Sequence, residues 1–294
     1  MRVNFLYIII ILFLLIFLSV SCPPLIDRDY PIGIYYDPNK ASVYVLETKD
    51  YSFLFNNDEN NFPLKFELID NSRLIFISKK ALKIYNKISN IIEKEIEIDL
   101  TNDLQLNKNQ YQIYLMDSIL LDNHLILNYF LFKYEGYNQV DRHNLFLKIN
   151  LDDTTSKLLN LDFDSEFGIN GGYNEIKKRV WFFGIMTDKS KDGLNEYDYD
   201  VSNDKLLFSN RKILHRSNFL DISDNYAWLS EYNSILVKRS IIGVNIDNEY
   251  VNDKEIIVNY LGTIDLYDLK YREAFLHLLI KRNSKIEIMK IQPL

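Results

Sequence analysis

The sequence predicts an all-β fold, and three features of its 294 residues support that prediction. Strand-forming Ile, Val, Tyr and Phe are abundant, whereas alanine, the best helix former, occurs only at Ala41, Ala81, Ala227 and Ala274. Short apolar segments recur from Ala41 onward and are separated by polar turn clusters. Several of these segments alternate apolar and polar residues with the period of two that is expected for strands with one wet face.

The predicted strands differ in how many of their faces are apolar. Lys94–Leu100 (KEIEIDL) and Asn195–Val201 (NEYDYDV) alternate cleanly, so each is expected to have one wet face. His124–Lys133 and Arg179–Met186 are apolar on both faces and are expected to lie inside a stack of sheets. The pattern of Leu266–Arg282 fits an amphipathic helix or a buried strand equally well. The remaining predicted strands are Ser42–Thr48, Tyr51–Phe55, Arg73–Ser78, Leu82–Ile88, Tyr111–Met116, Leu145–Leu151, Ala227–Ser230, Ile235–Arg239, Glu255–Leu261 and Lys285–Ile291.

One unit, an apolar strand followed by an alternating strand, a polar turn and a further strand, recurs along the chain. The repeats span Asp70–Leu100, Asp122–Leu161, Asn174–Asn210 and Asp224–Asp247, and their starts lie roughly 50 residues apart, close to the ~40–50-residue period of propeller blades. In outline the chain resembles a β-propeller, with about five to six blades. A β-sandwich or a stack of antiparallel sheets could be built from the same strands and is the alternative.

A propeller also has to join its two ends, because an open ring leaves exposed strand edges. The candidates are Ser42–Thr48 near the start of the chain and Lys285–Ile291 at its end. We therefore predict that these two segments lie side by side in one sheet.

Composition excludes some classes of partner. The chain is 47% hydrophobic, which is enough for a sizeable core, and its formal net charge is −7. An acidic balance argues against binding to nucleic acid and against an electrostatic grip on anionic lipid. With a single cysteine, no disulfide can form within the chain.

The N-terminal residues have the three parts of a secretory signal. Arg2 gives a positive start, Phe5–Leu18 is an unbroken apolar stretch, and small residues precede the only cysteine, Cys22. This arrangement resembles the signal peptide of bacterial lipoproteins, in which the cysteine becomes the acylated N-terminus. It departs from that pattern at Ser19, where the lipoprotein signal usually has an aliphatic residue. Cleavage by ordinary signal peptidase, with release of a soluble protein, and an uncleaved anchor are the alternatives.

The resemblance implies a domain plan and a location. Residues 1–21 would be the signal peptide, residues 22–40 a lipidated N-terminus and a tether, and residues 41–294 the all-β domain. The tether begins with Pro23 and Pro24, which keep it extended. The protein is then expected in the bacterial cell envelope, held to a membrane by its lipid anchor.

The most specific local motif resembles the first half of a calcium-binding loop. Asp188, Ser190 and Asp192 are oxygen ligands at alternate positions, Gly193 follows, and Glu196 could complete the shell. The twelfth position is Tyr199, where an EF-hand has a bidentate glutamate. A hairpin turn that uses Asp-Gly explains the same residues without any metal. Calcium is the one cofactor that the sequence suggests.

No catalytic residue is assigned from the sequence. The four histidines are scattered, and no Gly-x-Ser-x-Gly or phosphate-binding glycine loop is present. Two carboxylate rows on predicted strands, Asp162 to Glu166 and Glu196 to Asp200, could serve a glycoside hydrolase, although such rows are more often solvated strand faces.

Two aromatic residues beside glycines, Tyr137 and Tyr173, have the composition of exposed loop anchors for a protein partner. Packing of these residues against the rims of the blades is the alternative. The expected function is therefore a membrane-anchored scaffold that binds a protein partner in the envelope. The alternative is a carbohydrate-active hydrolase or lyase. A hydrolase should have a deep central pocket lined by convergent carboxylates, whereas a binding module should have a shallow, aromatic-rimmed face.

Overall fold

A computed structural model describes residues 43–56, 58, 61–100, 110–159, 170–174, 178–184, 193–200, 203–212, 219–223, 225–233, 238–246, 252–260 and 264–293. The chain divides into two units, Met1–Gly33 and Ile34–Leu294, and all described residues belong to the second unit.

These residues form five four-stranded antiparallel sheets, which we call blades 1 to 5. Blade 1 consists of β2 (Lys65–Leu68), β3 (Arg73–Ile77), β4 (Ala81–Asn86) and β5 (Ile91–Glu97). Blade 2 consists of β6 (Tyr111–Leu121), β7 (His124–Glu135), β8 (Asn138–Asn150) and β9 (Ser156–Leu159). Blade 3 consists of β10 (Asn170–Asn174), β11 (Arg179–Gly184), β12 (Gly193–Asp200) and β13 (Lys205–Lys212). Blade 4 consists of β14 (Phe219–Ile222), β15 (Tyr226–Asn233), β16 (Lys238–Asn245) and β17 (Asn252–Tyr260). Blade 5 consists of β18 (Ile264–Arg272), β19 (Phe275–Arg282), β20 (Lys285–Pro293) and β1 (Val43–Asp50).

The first strands of the blades form a closed ring. Strand β2 contacts β6, β6 contacts β10, β10 contacts β14, β14 contacts β18, and β18 contacts β2. A cyclic order of sheets that meet through their innermost strands is the arrangement of a propeller and not of two facing sheets. The prediction of an all-β propeller with five to six blades is confirmed, with five blades.

The two ends of the chain meet in blade 5, as predicted. Strand β1 pairs antiparallel with β20 from Val43 opposite Pro293 to Asp50 opposite Glu287. The Tyr51 amide continues the pairing with a 2.8 Å hydrogen bond to the carbonyl of Ile286. Strand β20 is therefore an internal strand, with β19 on one side and β1 on the other.

Apolar clusters fill the spaces between neighbouring blades. Ile75 and Leu82 of blade 1 share a buried cluster with Leu125 and Leu147 of blade 2. Equivalent clusters lie between blades 2 and 3, between blades 3 and 4, and between blades 5 and 1. Strands that are apolar on both faces, such as β7, belong to blades with an apolar cluster on each side. Burial of these faces is the main source of stability.

One predicted strand is wrong. Instead of a strand over Tyr51–Phe55, the structure has a 3-10 helix over Ser52–Phe55, which ends at Asn56 with a φ of 54°. The Asp50 carboxylate starts the turn by accepting a 2.8 Å hydrogen bond from the Ser52 amide. Tyr51 and Phe55 then both place their rings against Phe76 of the core. Tyr51 and Phe55 are four residues apart, which places both rings on one side of the helical turn, although Tyr and Phe are residue types that favour strands.

The ambiguous segment Leu266–Arg282 is a β-hairpin formed by most of β18 and by β19. Its turn residues, Glu273 and Ala274, have φ values of 53° and 65°, as in the tight turns of two-residue hairpins. Neither residue is one that normally signals such a turn, because left-handed backbone is usually adopted by Gly, Asn or Asp.

Removal of residues 285–294 is expected to abolish cooperative unfolding of the whole domain, because the deletion removes β20 and leaves β1 and β19 with exposed edges. Thermal unfolding followed by circular dichroism measures this effect. The variant Gln292→Ala, which keeps the backbone of β20, should melt like the wild type. A truncated chain with the midpoint and cooperativity of the intact protein would contradict a structural role for closure.

Candidate functional site

Most of the predicted calcium loop and the predicted lipidation site lie outside the described residues. Cys22 precedes the first described residue, and Asp188, Ser190 and Asp192 fall between β11 and β12. Glu196 is described and lies half-buried in β12. The calcium loop and the lipid anchor therefore stay predictions. Within the described part of the chain, no three His, Cys, Asp or Glu side chains form a group that could hold a metal ion.

The two predicted interaction residues lie in different surroundings. Tyr137 lies at the turn between β7 and β8, and its side chain is fully exposed. Tyr173, predicted to be a loop residue, is instead half-buried in strand β10 and packs against the cluster between blades 2 and 3. The glycine before it serves close packing instead of a turn, because a Cβ on Gly172 would come within 2.8 Å of Asp221 Oδ1.

Blade 2 carries a projection that we call the aromatic hairpin, formed by residues 111–116 of β6 and residues 130–144 of β7, β8 and their turn. Strands β6, β7 and β8 have 11, 12 and 13 residues, and no other described strand has more than nine. From Phe132 to Asn144 every residue is half-buried or exposed. The turn end of β7 and β8 therefore extends beyond the buried core, whereas Tyr111, Ile113 and Leu115 of β6 still pack against the cluster between blades 1 and 2.

A row of aromatic rings runs along one face of the aromatic hairpin. Phe130, Phe132 and Tyr134 alternate along β7, and Tyr114 lies opposite Phe130 on β6. The ring centroids of Tyr114 and Phe132 are 5.6 Å apart and those of Phe130 and Phe132 are 4.8 Å apart, both edge-to-face. Phe130 is buried, whereas Tyr114 is 47% exposed. The row thus runs from the core to the surface and holds its exposed rings in fixed positions.

The centre of the ring is filled by charged side chains from the innermost strands. Four carboxylates lie there with at most 1% of their surface exposed, and they belong to Glu67, Asp117, Asp221 and Asp268. Three cations pair with them, Lys65, Lys270 and Arg272. The Lys270 ammonium, for example, lies 3.0 Å from Glu67 Oε1 and 3.4 Å from Asp117 Oδ1. We call these seven side chains the central ion network.

Three of the four carboxylates occupy equivalent positions. Asp117, Asp221 and Asp268 each follow a β-bulge in the innermost strand of their blade. Each accepts a hydrogen bond from a backbone amide of the next blade: Asp117 from Gly171 at 2.9 Å, Asp221 from Tyr271 at 2.6 Å, and Asp268 from Phe66 at 3.1 Å. The bulge re-aims the side chain from its own sheet toward the neighbouring strand.

The remaining two junctions between blades have polar bonds of another kind. Ser118 donates its hydroxyl to Glu67 Oε1 at 2.8 Å between blades 2 and 1. Asn174 donates its side-chain amide to the Ser223 carbonyl at 3.1 Å between blades 3 and 4. Every junction of the ring therefore has at least one polar bond between innermost strands.

Burial controls the ionisation of this network. Burial raises the pKa of Asp221 to about 7, although Arg272 and Lys270 act against the rise. Burial likewise raises the pKa of Asp268 to about 6, against the attraction of Lys270 and Lys65. With four carboxylates and three cations, the fully ionised network carries one excess negative charge. A proton on Asp221 removes that excess near neutral pH.

These carboxylates converge as a hydrolase would require, but they are buried and ion-paired, so a substrate does not reach them in this conformation. The carboxylate row on β12 is more exposed, since Asp198 and Asp200 are half-buried. Asp198 pairs with Arg179, and Asp200 accepts hydrogen bonds from Asn203. The other predicted row, Asp162 to Glu166, lies outside the described residues.

No helix in the described part of the chain is long and apolar enough to cross a membrane.

Comparison with known proteins finds structural similarity at low sequence identity. No protein family and no curated protein matches the sequence. A xylan β-1,4-xylosidase from Bacillus halodurans is similar in structure, with 15% identity and a TM-score of 0.46 over 80% of this chain and 53% of the xylosidase. This chain thus spans about half the length of that enzyme. An arabinanase from Bacillus subtilis has 13% identity and a TM-score of 0.43 over 80% of this chain and 95% of the arabinanase. TolB from Acinetobacter baumannii has 10% identity and a TM-score of 0.31 over 75% and 65% of the two chains. Similarity at this level does not extend to activity.

The central ion network was missed from the sequence, although a signal for it exists. Each of its three aspartates follows two large apolar residues at the bulge of an innermost strand. The three short segments are Leu115-Met116-Asp117, Phe219-Leu220-Asp221 and Leu266-Tyr267-Asp268. The pattern is not specific to innermost strands, because Leu68-Ile69-Asp70 and Leu120-Leu121-Asp122 also have it and end in turns.

Asp221→Asn is expected to gain stability relative to the wild type as the pH rises from 5 to 8. The folded-state pKa of about 7 lies above the ordinary 3.8, so between these values the folded chain binds more protons than the unfolded chain. The contribution of Asp221 to the free energy of unfolding therefore falls as the pH rises, by about 2–3 kcal/mol between pH 5 and pH 8. Asn has no such proton and can still accept the Tyr271 amide. Urea unfolding of both proteins at the two pH values measures the difference.

Asp204→Asn is the control for this prediction. Burial raises the Asp204 pKa, but hydrogen bonds from Lys148, Lys157 and Tyr199 outweigh it, and the net shift is downward. Asp204 is thus ionised in both folded and unfolded chains from pH 5 to pH 8, and its replacement should cost the same at both ends of that range. Equal effects of Asp221→Asn at pH 5 and pH 8 would show that Asp221 holds no proton in the folded state.

Proposed function

We propose that this protein is a lipid-anchored component of the bacterial cell envelope whose propeller binds a protein partner through the aromatic hairpin. The observation that carries the proposal is the projection of blade 2, which exposes Tyr137 fully, Tyr114 by 47% and Val140 by 46%. Exposed aromatics held by a rigid framework are the residues that most often dominate binding energy at protein interfaces.

The geometry of the ring supports binding at its ends and not at its centre. The central ion network occupies the axis, so the surfaces open to a partner are the ends of the ring and its outer strands. The aromatic hairpin belongs to β6, β7 and β8, which are the three longest described strands. Its ring row gives it a preformed surface, which reduces the entropy lost when a partner binds.

The lipid anchor is the part of this proposal that rests on the N-terminal sequence. The only thiol lies directly after a signal-like segment, where a lipoprotein would be acylated. Bacterial lipoproteins carry more than one acyl chain, and several chains hold a protein to a membrane firmly, whereas one chain does not.

Cys22→Ser is expected to abolish acylation and to move the protein out of the membrane fraction. Metabolic labelling with a fatty-acid analogue, followed by fractionation of the cells, measures both effects, with total protein compared by immunoblot. Label on Cys22→Ser, or wild-type protein found wholly in the soluble fraction, would rule out acylation at this residue.

A photo-crosslinking residue at position 137 is expected to form a discrete adduct with one envelope protein in intact cells. The matched control is position 88, because Ile88 is an apolar residue that is 83% exposed at the other end of the ring. If the same crosslinker is placed at position 140, Tyr114→Ala together with Tyr137→Ala should reduce the adduct at least tenfold. Tyr137→Ala should leave the melting temperature unchanged, because its side chain is fully exposed, whereas Tyr114→Ala should lower it slightly through loss of the edge-to-face contact with Phe132.

Equal crosslinking from positions 137 and 88, or an adduct that survives loss of both tyrosines, would show that the aromatic hairpin is not the binding surface.

A carbohydrate-active enzyme is the alternative function, and it requires carboxylates that a sugar can contact. The central carboxylates would become such groups only if the blades separated enough to expose them.

A further inference from the structure

A pocket of about 250 Å³ lies between blade 5 and blade 1. Blade 5 contributes His277 of β19 and Lys290 of β20 to its wall, and blade 1 contributes Lys87, which follows β4. The pocket borders the turns after β2, β4 and β18. In an antiparallel blade these turns lie at the end of the ring opposite to the β7–β8 turn, so the pocket and the aromatic hairpin are at opposite ends.

Strand register places one row of polar groups across blade 5. Lys270 lies opposite His277, His277 opposite Lys290, and Lys290 opposite Glu47. Residues directly opposite each other in a sheet present their side chains on the same face. The row therefore leads from the central ion network, which contains Lys270, to the pocket, which the other three residues line.

The charges of Lys49 and Lys290 act on Lys87, and those of Lys87 and Lys290 act on His277. Burial lowers the pKa of Lys87, and the charges of Lys290 and Lys49 lower it further, against the attraction of Glu47 and Asp70. Burial also lowers the pKa of His277 to about 3, with added repulsion from Lys290, Lys87 and Arg272. His277 is thus a neutral group in a positively charged environment.

Several other charges of the wall are already engaged elsewhere. Asp70 accepts hydrogen bonds from Ser72 and from the backbone and side chain of Arg73. Arg272 directs its guanidinium to Glu67 and to the Tyr271 carbonyl in the centre of the ring. Glu47 and Glu273 are the remaining carboxylates of the wall, and both are exposed. The Lys290 ammonium lies 4.0 Å from the centroid of the Phe275 ring and the Lys49 ammonium 5.5 Å from that of Tyr51, contacts that do not neutralise either charge. Three lysines therefore face two carboxylates, and the balance is positive.

Part of the pocket wall is apolar. Leu74 and Ile288 are buried there, and Leu68 is half-buried beside them. A volume of about 250 Å³ lies just below the ~300 Å³ at which pockets for drug-sized ligands begin, so the ligand must be small. Charged groups beside an apolar wall suit a ligand with one anionic group and a short carbon skeleton.

We propose that this pocket binds a small organic anion, with Lys87 and Lys290 from the two blades as its main binding residues and Lys49 in support. The anionic group, a carboxylate or a phosphate, accepts hydrogen bonds from the ammonium groups and relieves their mutual repulsion. The carbon skeleton lies against Leu74 and Ile288. Because the two main lysines belong to blades 1 and 5, the ligand joins the blades at the junction where the chain closes.

Calorimetric titration of the full-length chain in a non-ionic detergent tests this proposal with three probes. Sodium phosphate and sodium D-glucuronate represent the two anionic groups at a size that fits the pocket, and D-glucose is the neutral control. We expect saturable binding of at least one anion and none of glucose. A response to phosphate alone identifies a phosphorylated ligand, and a response to glucuronate alone identifies a carboxylate.

Lys87→Met and Lys290→Met are each expected to weaken binding of the responding anion about tenfold, the usual value of one charge-assisted hydrogen bond. The variants Lys87→Arg and Lys290→Arg should retain most of the affinity, because they keep the charge. Lys133→Met is the matched control, since Lys133 is a half-buried lysine of the aromatic hairpin.

Lack of saturable binding by both anions would overturn the proposal, and so would equal losses in Lys133→Met and in the pocket variants. These outcomes are independent of the aromatic hairpin. Loss of crosslinking at position 137 with intact anion binding would reject only the protein-binding function.

Discussion

The fold depends on how the innermost strand of each blade satisfies its inward-facing backbone groups. A strand inside a sheet pairs on both edges, but the inner edges of β2, β10 and β18 face a neighbouring blade with no strand to pair with. An amide buried there without an acceptor would cost about 1–3 kcal/mol. Aspartate after a bulge solves this problem at three junctions, and each carboxylate bonds the amide of the next blade. The same bonds that satisfy the backbone fix the order of the blades.

That solution places three aspartates in the core, where Glu67 is the fourth buried carboxylate, and the three cations compensate for their charge. Removal of one partner of a buried ion pair commonly costs about 3–5 kcal/mol, because the remaining charge is left without compensation. Arg272 illustrates the coupling, since its guanidinium lies near both Glu67 and Asp221 and so links blades 1, 4 and 5. Asp221 Oδ1 has no hydrogen-bond partner and lies against the Gly172 backbone, which fits the tendency of this carboxyl to hold a proton. The network seals the axis, so recognition is left to the ends and sides of the ring.

The sequence predicted the middle strands of the blades well and most of the innermost strands poorly, for a physical reason. Middle strands such as β7 are apolar on both faces because an apolar cluster lies on each side of their blade, and that signal is local. Strands β2 and β14 have four residues each, too few to show a period, and β10 contains Gly171 and Gly172, whose composition indicates a turn. In β18, buried Asp268 and Lys270 imitate the polar face of an amphipathic helix. Their partners Phe66 and Ser118 are 202 and 152 residues away in sequence, so no local window contains the explanation.

The path of the chain through blade 5 relates the first described strand to the two proposed binding surfaces. Strand β20 runs from the end of the ring that carries the β7–β8 turn toward the end that carries the pocket, and β1 runs antiparallel to it. Val43 therefore enters the domain at the pocket end, whereas Tyr137 lies at the opposite end. A protein partner on the aromatic hairpin and a small anion in the pocket would thus contact opposite ends of the same ring.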